Sequence, residues 1–370
     1  MHDTAPLPAH PAPWPALPAA EAGFDPAALA AAVGFAEAHE TPWPRDIRAH
    51  IEAGHFEPPP HNAILGPVAP RGAPNGLILR HGRLVARWGD TRQVDMTFSV
   101  AKSYLAILAG LAVADGLIPD LDAPVRDTVD DGGFEGPQNS GITWRHLLQN
   151  TSEWEGTLFG KSDAIDRGRN LGTEGQGKKR MERPLQAPGT YWEYNDVRVN
   201  RLSLALLRRF GRPLPEVFAE RIMAPIGASS DWQWHGYETS WVEVGGRRVQ
   251  SVSGGGHWGG GVFIHAEDQA RIGLLALRQG EWGGRQLIPA EWIAECRKPC
   301  ALNPQYGLLW WLNTGRDKWP SASAESVCFV GAGGNFTWID PTHDLVAVLR
   351  WIDPQRLDGF MAAVMAALRD

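Results

Sequence analysis

Ser99 and Lys102 stand three residues apart in Met96-Thr97-Phe98-Ser99-Val100-Ala101-Lys102-Ser103-Tyr104-Leu105. Leu105, Leu108, Leu111 and Ala112 follow at three- and four-residue steps, with no proline before Pro119, and this spacing predicts a buried helix. Residues i and i+3 share a helix face, so the hydroxyl and the amine can touch. A serine at a helix start, within reach of an amine in apolar surroundings, is a workable nucleophile with a proton-transfer partner. The competing reading is a helix-capping serine beside a solvated lysine. Against it, Lys102 lies among Val100, Ala101, Tyr104, Leu105 and Ile107, and no acidic residue at helix spacing pairs with it.

Two further stretches carry chemistry-bearing side chains. Pro188-Gly189-Thr190-Tyr191-Trp192-Glu193-Tyr194-Asn195-Asp196 precedes an apolar helix expected over 200–210. Taken locally, Tyr194 reads as a buried tyrosine with a satisfied hydroxyl. Ser253-Gly254-Gly255-Gly256-His257-Trp258-Gly259-Gly260-Gly261 is a glycine-dense loop holding one histidine and one tryptophan.

The elements that must position these residues follow from pattern. Asp25-Pro26 caps and opens a helix to about His39. Residues 76–80 and 83–88 flank His81-Gly82 as a hairpin, and the Ser99 helix follows almost directly, beside a sheet. Residues 41–75, rich in proline, read as an irregular surface wrap. A mostly helical insertion is expected over 119–233, with a charged glycine-rich loop at 160–180 and a further helix over 213–223. Strand signals return in a hairpin around Gly245-Gly246, and again over 306–312, 327–330, 335–339 and 345–351, with helices over 267–278 and 357–368. The fold class is α+β: an antiparallel sheet flanked by helices, over 21–118 and 234–370, split by the helical insertion. Residues 1–20 read as a flexible Pro/Ala-rich arm.

Composition excludes several functions. The chain has 370 residues, 43% hydrophobic and 21% charged, with a net charge of -7 and dispersed basic residues. Nucleic acid is therefore not an expected partner. Cys296, Cys300 and Cys328 form no disulfide framework and, without a second ligand pair at zinc spacing, no metal site. No apolar run spans a membrane and no signal-peptide pattern opens the chain, so a cytoplasmic protein is expected. Gly172-Thr173-Glu174-Gly175-Gln176-Gly177-Lys178-Lys179 imitates a phosphate-binding loop, but Lys179 takes the place of the required Ser or Thr and no apolar strand precedes it. A Gly-x-Ser-x-Gly elbow is absent, which counts against an alpha/beta-hydrolase.

Taken in order, Ser-x-x-Lys at a helix start, a Tyr-x-Asn-like triplet after Pro-Gly-Thr, and Gly259-Gly260-Gly261-Val262 leading to Ala266-Glu267-Asp268-Gln269-Ala270-Arg271 resemble the serine beta-lactamase and penicillin-binding-protein superfamily. The likeness, over about residues 75–365, is nearest the class C-like branch, with its esterases, D-amino peptidases and 6-aminohexanoate-dimer hydrolases. It implies Ser99 as the acylated nucleophile, Lys102 as its partner one turn on, and Tyr194 as the hydroxyl that relays protons. It also places the His257-Trp258 loop near the cleft. Where the triplet ends in asparagine the chain has Asp196, which has no amide to donate to a substrate but, if it faces the site, keeps Lys102 charged. The counterpart of the third motif is Phe329-Val330-Gly331, with no cation at Phe329, which argues against beta-lactam binding. An N–H near Gly331 or Ala332 would complete an oxyanion hole with that of Ser99. The implied protein is a serine hydrolase for a small ester or amide, needing no cofactor or metal. An amidase for small peptides or oligomers and a non-catalytic binding or sensor protein of the same fold stay open. The sequence assigns no oligomeric state.

Overall fold

In the computed structural model, residues 14–169 and 183–369 are described. Six antiparallel strands form the main sheet in the order Trp311–Leu312, Val327–Gly331, Asn335–Asp340, Leu345–Arg350, Asn75–Arg80 and Arg83–Trp88. The last two come from the N-terminal third and the first four from the C-terminal end, so Asn75 pairs with Arg350 across nearly the whole chain. The hairpin between Arg80 and Arg83 turns on His81 and Gly82, both left-handed at φ 54° and 71°, the geometry that matches strand twist. Every residue of Asn335–Asp340 and Leu345–Arg350 is buried. Both sheet faces are therefore covered.

Helix Ala266–Leu277 packs on the strands Asn335–Asp340, Leu345–Arg350 and Asn75–Arg80. Helices Pro26–Ala38 and Leu357–Ala367 pack on each other, and Trp88 meets Phe360 beside them. The Ser99 helix, Val100–Ala114, is buried on all sides through Ala112, as a central helix with no polar face must be. It lies between the strand Val327–Gly331 and the helix Asp196–Phe210. At Gly110 the Trp292 ring comes so close that any Cβ would overlap it, and Trp292 Nε1 donates to the Ala106 carbonyl at 2.9 Å. A second sheet, of Asp95–Met96, Gly261–Ile264, Gln233–Val244 and Arg247–Val252, carries the glycine loop. Among the described residues no helix is long and apolar enough to cross a membrane.

Several elements differ from the sequence expectation. Of the strand expected over 306–312, only Trp311–Leu312 is extended, because Leu309 takes a left-handed φ of 56° and breaks the run. The helix expected from Asn200 starts four residues earlier, where Asn195 caps it by accepting from the N–H groups of Val197 and Arg198. Residues 14–20 are not a free arm: Leu17 N–H donates to Leu84 O and Leu84 N–H to Pro15 O, each at 2.9 Å, and Trp14 is buried. The remainder of that arm, and Gly172 to Lys179, lie outside the described residues. The helix expected over 213–223 is Leu214–Phe218, widening into a π turn over Ala219–Met223. Within 41–75 the helix Ile47–Glu52 is capped by Asp46.

That proline-rich segment brings His50 and His55 ring to ring, with centroids 3.9 Å apart, against Trp43. Burial, helped by the neighbouring His50 and His257, pushes the His55 pKa down from 6.5 to about 4. A histidine that folds neutral contributes stability that is complete above its unfolded pKa and is lost as pH falls through the folded one. The melting temperature is therefore expected to fall as pH drops from about 6.5 to about 4, and His55→Phe should flatten that fall. Melting curves of the two proteins with the same pH slope would refute the assignment.

Candidate active site

Ser99 is the one residue between Asp95 and Ala112 that is not buried. Its hydroxyl makes no helix-capping bond. Instead, Lys102 Nζ donates to Ser99 Oγ at 2.7 Å, and Ser99 Oγ donates to the Gly255 carbonyl at 3.3 Å. The turn that presents it is strained, for the bulky Phe98 just before it has φ 50°, a left-handed conformation that non-glycine residues hold at a cost. Phe98 is held there by an aromatic cluster with Trp43, Phe56 and Trp351.

Lys102 is buried, and three acceptors surround its nitrogen: Ser99 Oγ at 2.7 Å, the Gly254 carbonyl at 3.2 Å and Asp196 Oδ1 at 2.7 Å. Lys102 thus donates hydrogen bonds to Ser99 and Gly254 and forms an ion pair with Asp196 Oδ1. The carbonyls are aimed by the loop's own bonding. Asn200 Oδ1 accepts from Gly254 N–H at 2.9 Å while its Nδ2 donates to Tyr237 Oη at 3.1 Å. Gly255, at φ 76°, passes so close to the Phe98 carbonyl that a Cβ would overlap it.

Asp196 begins the helix Asp196–Phe210, and its backbone N–H donates to Asp166 Oδ2 at 2.7 Å. Its carboxylate is enclosed, with Lys102 on Oδ1, and Arg169 Nη2 at 3.0 Å and His257 Nε2 at 3.3 Å from Oδ2. Burial alone would raise its pKa; Arg169, Lys102 and His257 outweigh that and hold the carboxyl well below the usual range. His257 Nδ1 lies 2.6 Å from Glu57 Oε1, and Phe56 stacks on the ring at 4.2 Å. A Glu57 oxygen, an Asp166 oxygen and a His257 nitrogen lie within 4.8 Å of one another, a cluster able to hold a cation. The Arg169 guanidinium already stands there, 2.7 Å from Asp166 Oδ2 and 3.0 Å from His257 Nδ1.

The Tyr194 ring lies 5.0 Å from Lys102 Nζ and 5.3 Å from the Arg169 guanidinium carbon. Cations at such distances are attracted to the face of an aromatic ring. Trp311 stacks on Tyr194, and Trp192 and Tyr306 close the aromatic group.

Ser99, Lys102, Tyr194, Asp196 and His257 are thus brought together. Gly331 adjoins them: a Cβ on it would overlap the Thr97 carbonyl, which places the end of its strand against the Ser99 turn. Ala332 is half-buried beside that turn's aromatic cluster. Phe329 is wholly buried against Tyr104 and Trp310. Trp258 is buried, with Nε1 donating to the His61 carbonyl at 2.8 Å. Trp154 Nε1 donates to the Gly133 carbonyl at 2.6 Å. Sequence reasoning missed Glu57, Asp166, Arg169 and Asn200. Only Asn200, one helical turn after Asp196, left a periodic signal.

The protein-family model described as Beta-lactamase matches residues 77–355. The fold is similar to that of a penicillin-binding protein homologue from Caulobacter crescentus, with 16% identity, a TM-score of 0.58, and 87% of this chain and 98% of that one covered. It is also similar to a family VIII carboxylesterase, with 17% identity, a TM-score of 0.57 and coverages of 87% and 95%. A mutant simvastatin synthase from Aspergillus terreus shares 18% identity at a TM-score of 0.56, over 93% and 98% of the two chains. No curated protein matches the chain.

Two glycine substitutions, one in the turn after Val244 and one in the glycine loop, separate backbone strain from crowding. Gly245 has φ 56° and open space around its Cβ position, whereas at Gly255 the Phe98 carbonyl stands in the way. Gly245→Ala should cost only about 1–2 kcal/mol, the left-handed penalty alone. Gly255→Ala should cost clearly more in urea unfolding; equal losses would show that the loop does not press on the Ser99 turn.

Proposed function

Because this chain belongs to the Beta-lactamase family and is a serine hydrolase, we propose that it cleaves a small ester or amide through an acyl-enzyme on Ser99, with Lys102 and Tyr194 as proton-transfer partners. The observation that carries this reading is the set of three acceptors around Lys102. As an ammonium donating to Ser99 Oγ, Lys102 holds the nucleophile and has no lone pair to take its proton. The base is then Tyr194, whose ring lies near both Lys102 and Arg169.

In this mechanism Ser99 Oγ attacks the substrate carbonyl carbon as its proton passes to the Tyr194 phenolate. The resulting oxyanion is held by backbone N–H groups of Ser99 and of the Gly331–Ala332 strand end. Collapse breaks the bond to the leaving group, which takes the proton from Tyr194. A water then attacks the acyl carbon and gives its proton to Tyr194, and the proton returns to Ser99 as the acid leaves. Asp196 stays ionised throughout and keeps Lys102 charged. The carboxylesterase among the similar structures and the aromatic group of Trp192, Trp311 and Tyr306 support trying aryl esters first. The buried Phe329, where a cation would meet a penicillin-type carboxylate, argues against beta-lactams.

A fluorophosphonate should add once to the protein, at Ser99, and p-nitrophenyl acetate should turn over. Lys102→Ala and Tyr194→Phe should each slow turnover by a factor on the order of 10² or more. Intact-mass spectrometry showing no adduct, or the same adduct in Ser99→Ala, would sink the reading.

A further inference from the structure

The site extends beyond the family's matched segment. Glu57 and Phe56 precede residue 77, where that match begins, yet both lie against His257. From Glu57 a connected series runs inward: Glu57 Oε1 to His257 Nδ1 at 2.6 Å, His257 Nε2 to Asp196 Oδ2 at 3.3 Å, Asp196 Oδ1 to Lys102 Nζ at 2.7 Å, and Lys102 Nζ to Ser99 Oγ at 2.7 Å. We infer that Glu57 and His257 form an outer positioning pair, carried into the site by the proline-rich segment, which orients Asp196 toward Lys102 and so sets the rate of Ser99 acylation. This rests on the acyl-enzyme reading above.

The geometry gives each member one task. Both imidazole nitrogens face carboxylate oxygens, Nδ1 that of Glu57 and Nε2 that of Asp196, so the ring bridges the two acids, with Arg169 Nη2 also 3.0 Å from Nδ1. With His257 and Arg169 both on Oδ2, Asp196 Oδ1 is directed to Lys102. Glu57 is 1% exposed, and its segment is fastened just after it. Lys161 Nζ donates to the carbonyls of His61 and Ala63 at 2.9 and 3.1 Å, Trp258 Nε1 donates to His61, and the N–H groups of Leu65 and Gly66 donate to the Trp258 carbonyl at 2.9 Å. Trp258 thus clamps the segment next to the histidine that the segment addresses. Phe56 completes the clamp by stacking on that histidine at an interplanar angle of 11°. A segment that only covered the surface would not need a buried carboxylate at this point.

The test compares fluorophosphonate labelling of Ser99 and p-nitrophenyl ester turnover in the full-length protein and in three variants. Glu57→Gln keeps the shape of the segment and removes its charge; kcat and the labelling rate are expected to fall about tenfold with KM within twofold, the range usual for partners that orient a functional group. His257→Ala should fall comparably and regain rate, saturably, with added imidazole. The double variant should be no slower than the slower single one, because the two residues act through one another. Glu57→Gln labelling within twofold of the parent, single effects that multiply in the double variant, or His257→Ala indifferent to imidazole would each overturn the positioning pair. Should Glu57→Gln fail to fold, the imidazole response of His257→Ala decides. A parent protein that takes no label at Ser99 fails the acyl-enzyme reading itself, and the pair with it.

Discussion

One buried nitrogen organises this molecule. Lys102 Nζ meets Ser99 from its own helix, the Gly254 carbonyl from the glycine loop and Asp196 from the head of a third element. A buried charge is tolerated only when paired and fully hydrogen-bonded. Removing one partner of such a pair typically costs about 3–5 kcal/mol. The three segments are therefore bound to one mutual placement, and the Ser99 hydroxyl is held by one of the same contacts. The exposed side of Ser99 is what this closure leaves open.

Around that centre the charges are layered. Arg169 and His257 share Asp196 with Lys102, and Asp166 and Glu57 stand behind them. A second buried network flanks the Tyr194 segment on both sides. Arg198 pairs with Glu153 at 2.6 Å, Glu193 at 3.0 Å and Asp163 at 3.2 Å, and Arg183 reaches Glu153 and Glu193 at 2.8 and 2.9 Å. Glu193 and Arg198 bracket Tyr194 and Asp196 in the chain, so their direct pair, joined to Glu153 through Arg198 and Arg183, fixes the backbone from which the phenol and the carboxylate project. Glu153 itself has a left-handed φ of 46°, so this network also holds a strained turn. Such networks orient groups more than they stabilise a fold, since desolvation offsets much of the Coulombic gain.

Much of the scaffold was legible because its signals are local. Short apolar runs marked the strands from Val327 to Arg350, His81-Gly82 marked the turn of the first hairpin, and Asp25-Pro26 marked a helix start. The errors have local causes that a period does not encode. Leu309 breaks an apolar run by its backbone angle, and Trp14 is held down by a strand and by Arg271, whose guanidinium carbon lies 4.7 Å from its ring centroid. In the site, Glu57 sits in a run of prolines and Arg169 in a charged loop. Neither has a periodic neighbour to betray that it is buried.

The sequence by itself determined that Ser99 and Lys102 share a helix face, that Tyr194 and Asp196 stand just before another helix, and that glycines stand where backbone must pass close. These follow from helical geometry and backbone sterics, which act over a few residues. Tertiary structure alone decided the electrostatics. Which oxygen of Asp196 faces Lys102, and that Glu57 reaches His257, depend on distances between residues far apart in the chain. Charge interactions fall off with separation and strengthen with burial, and only packing sets either.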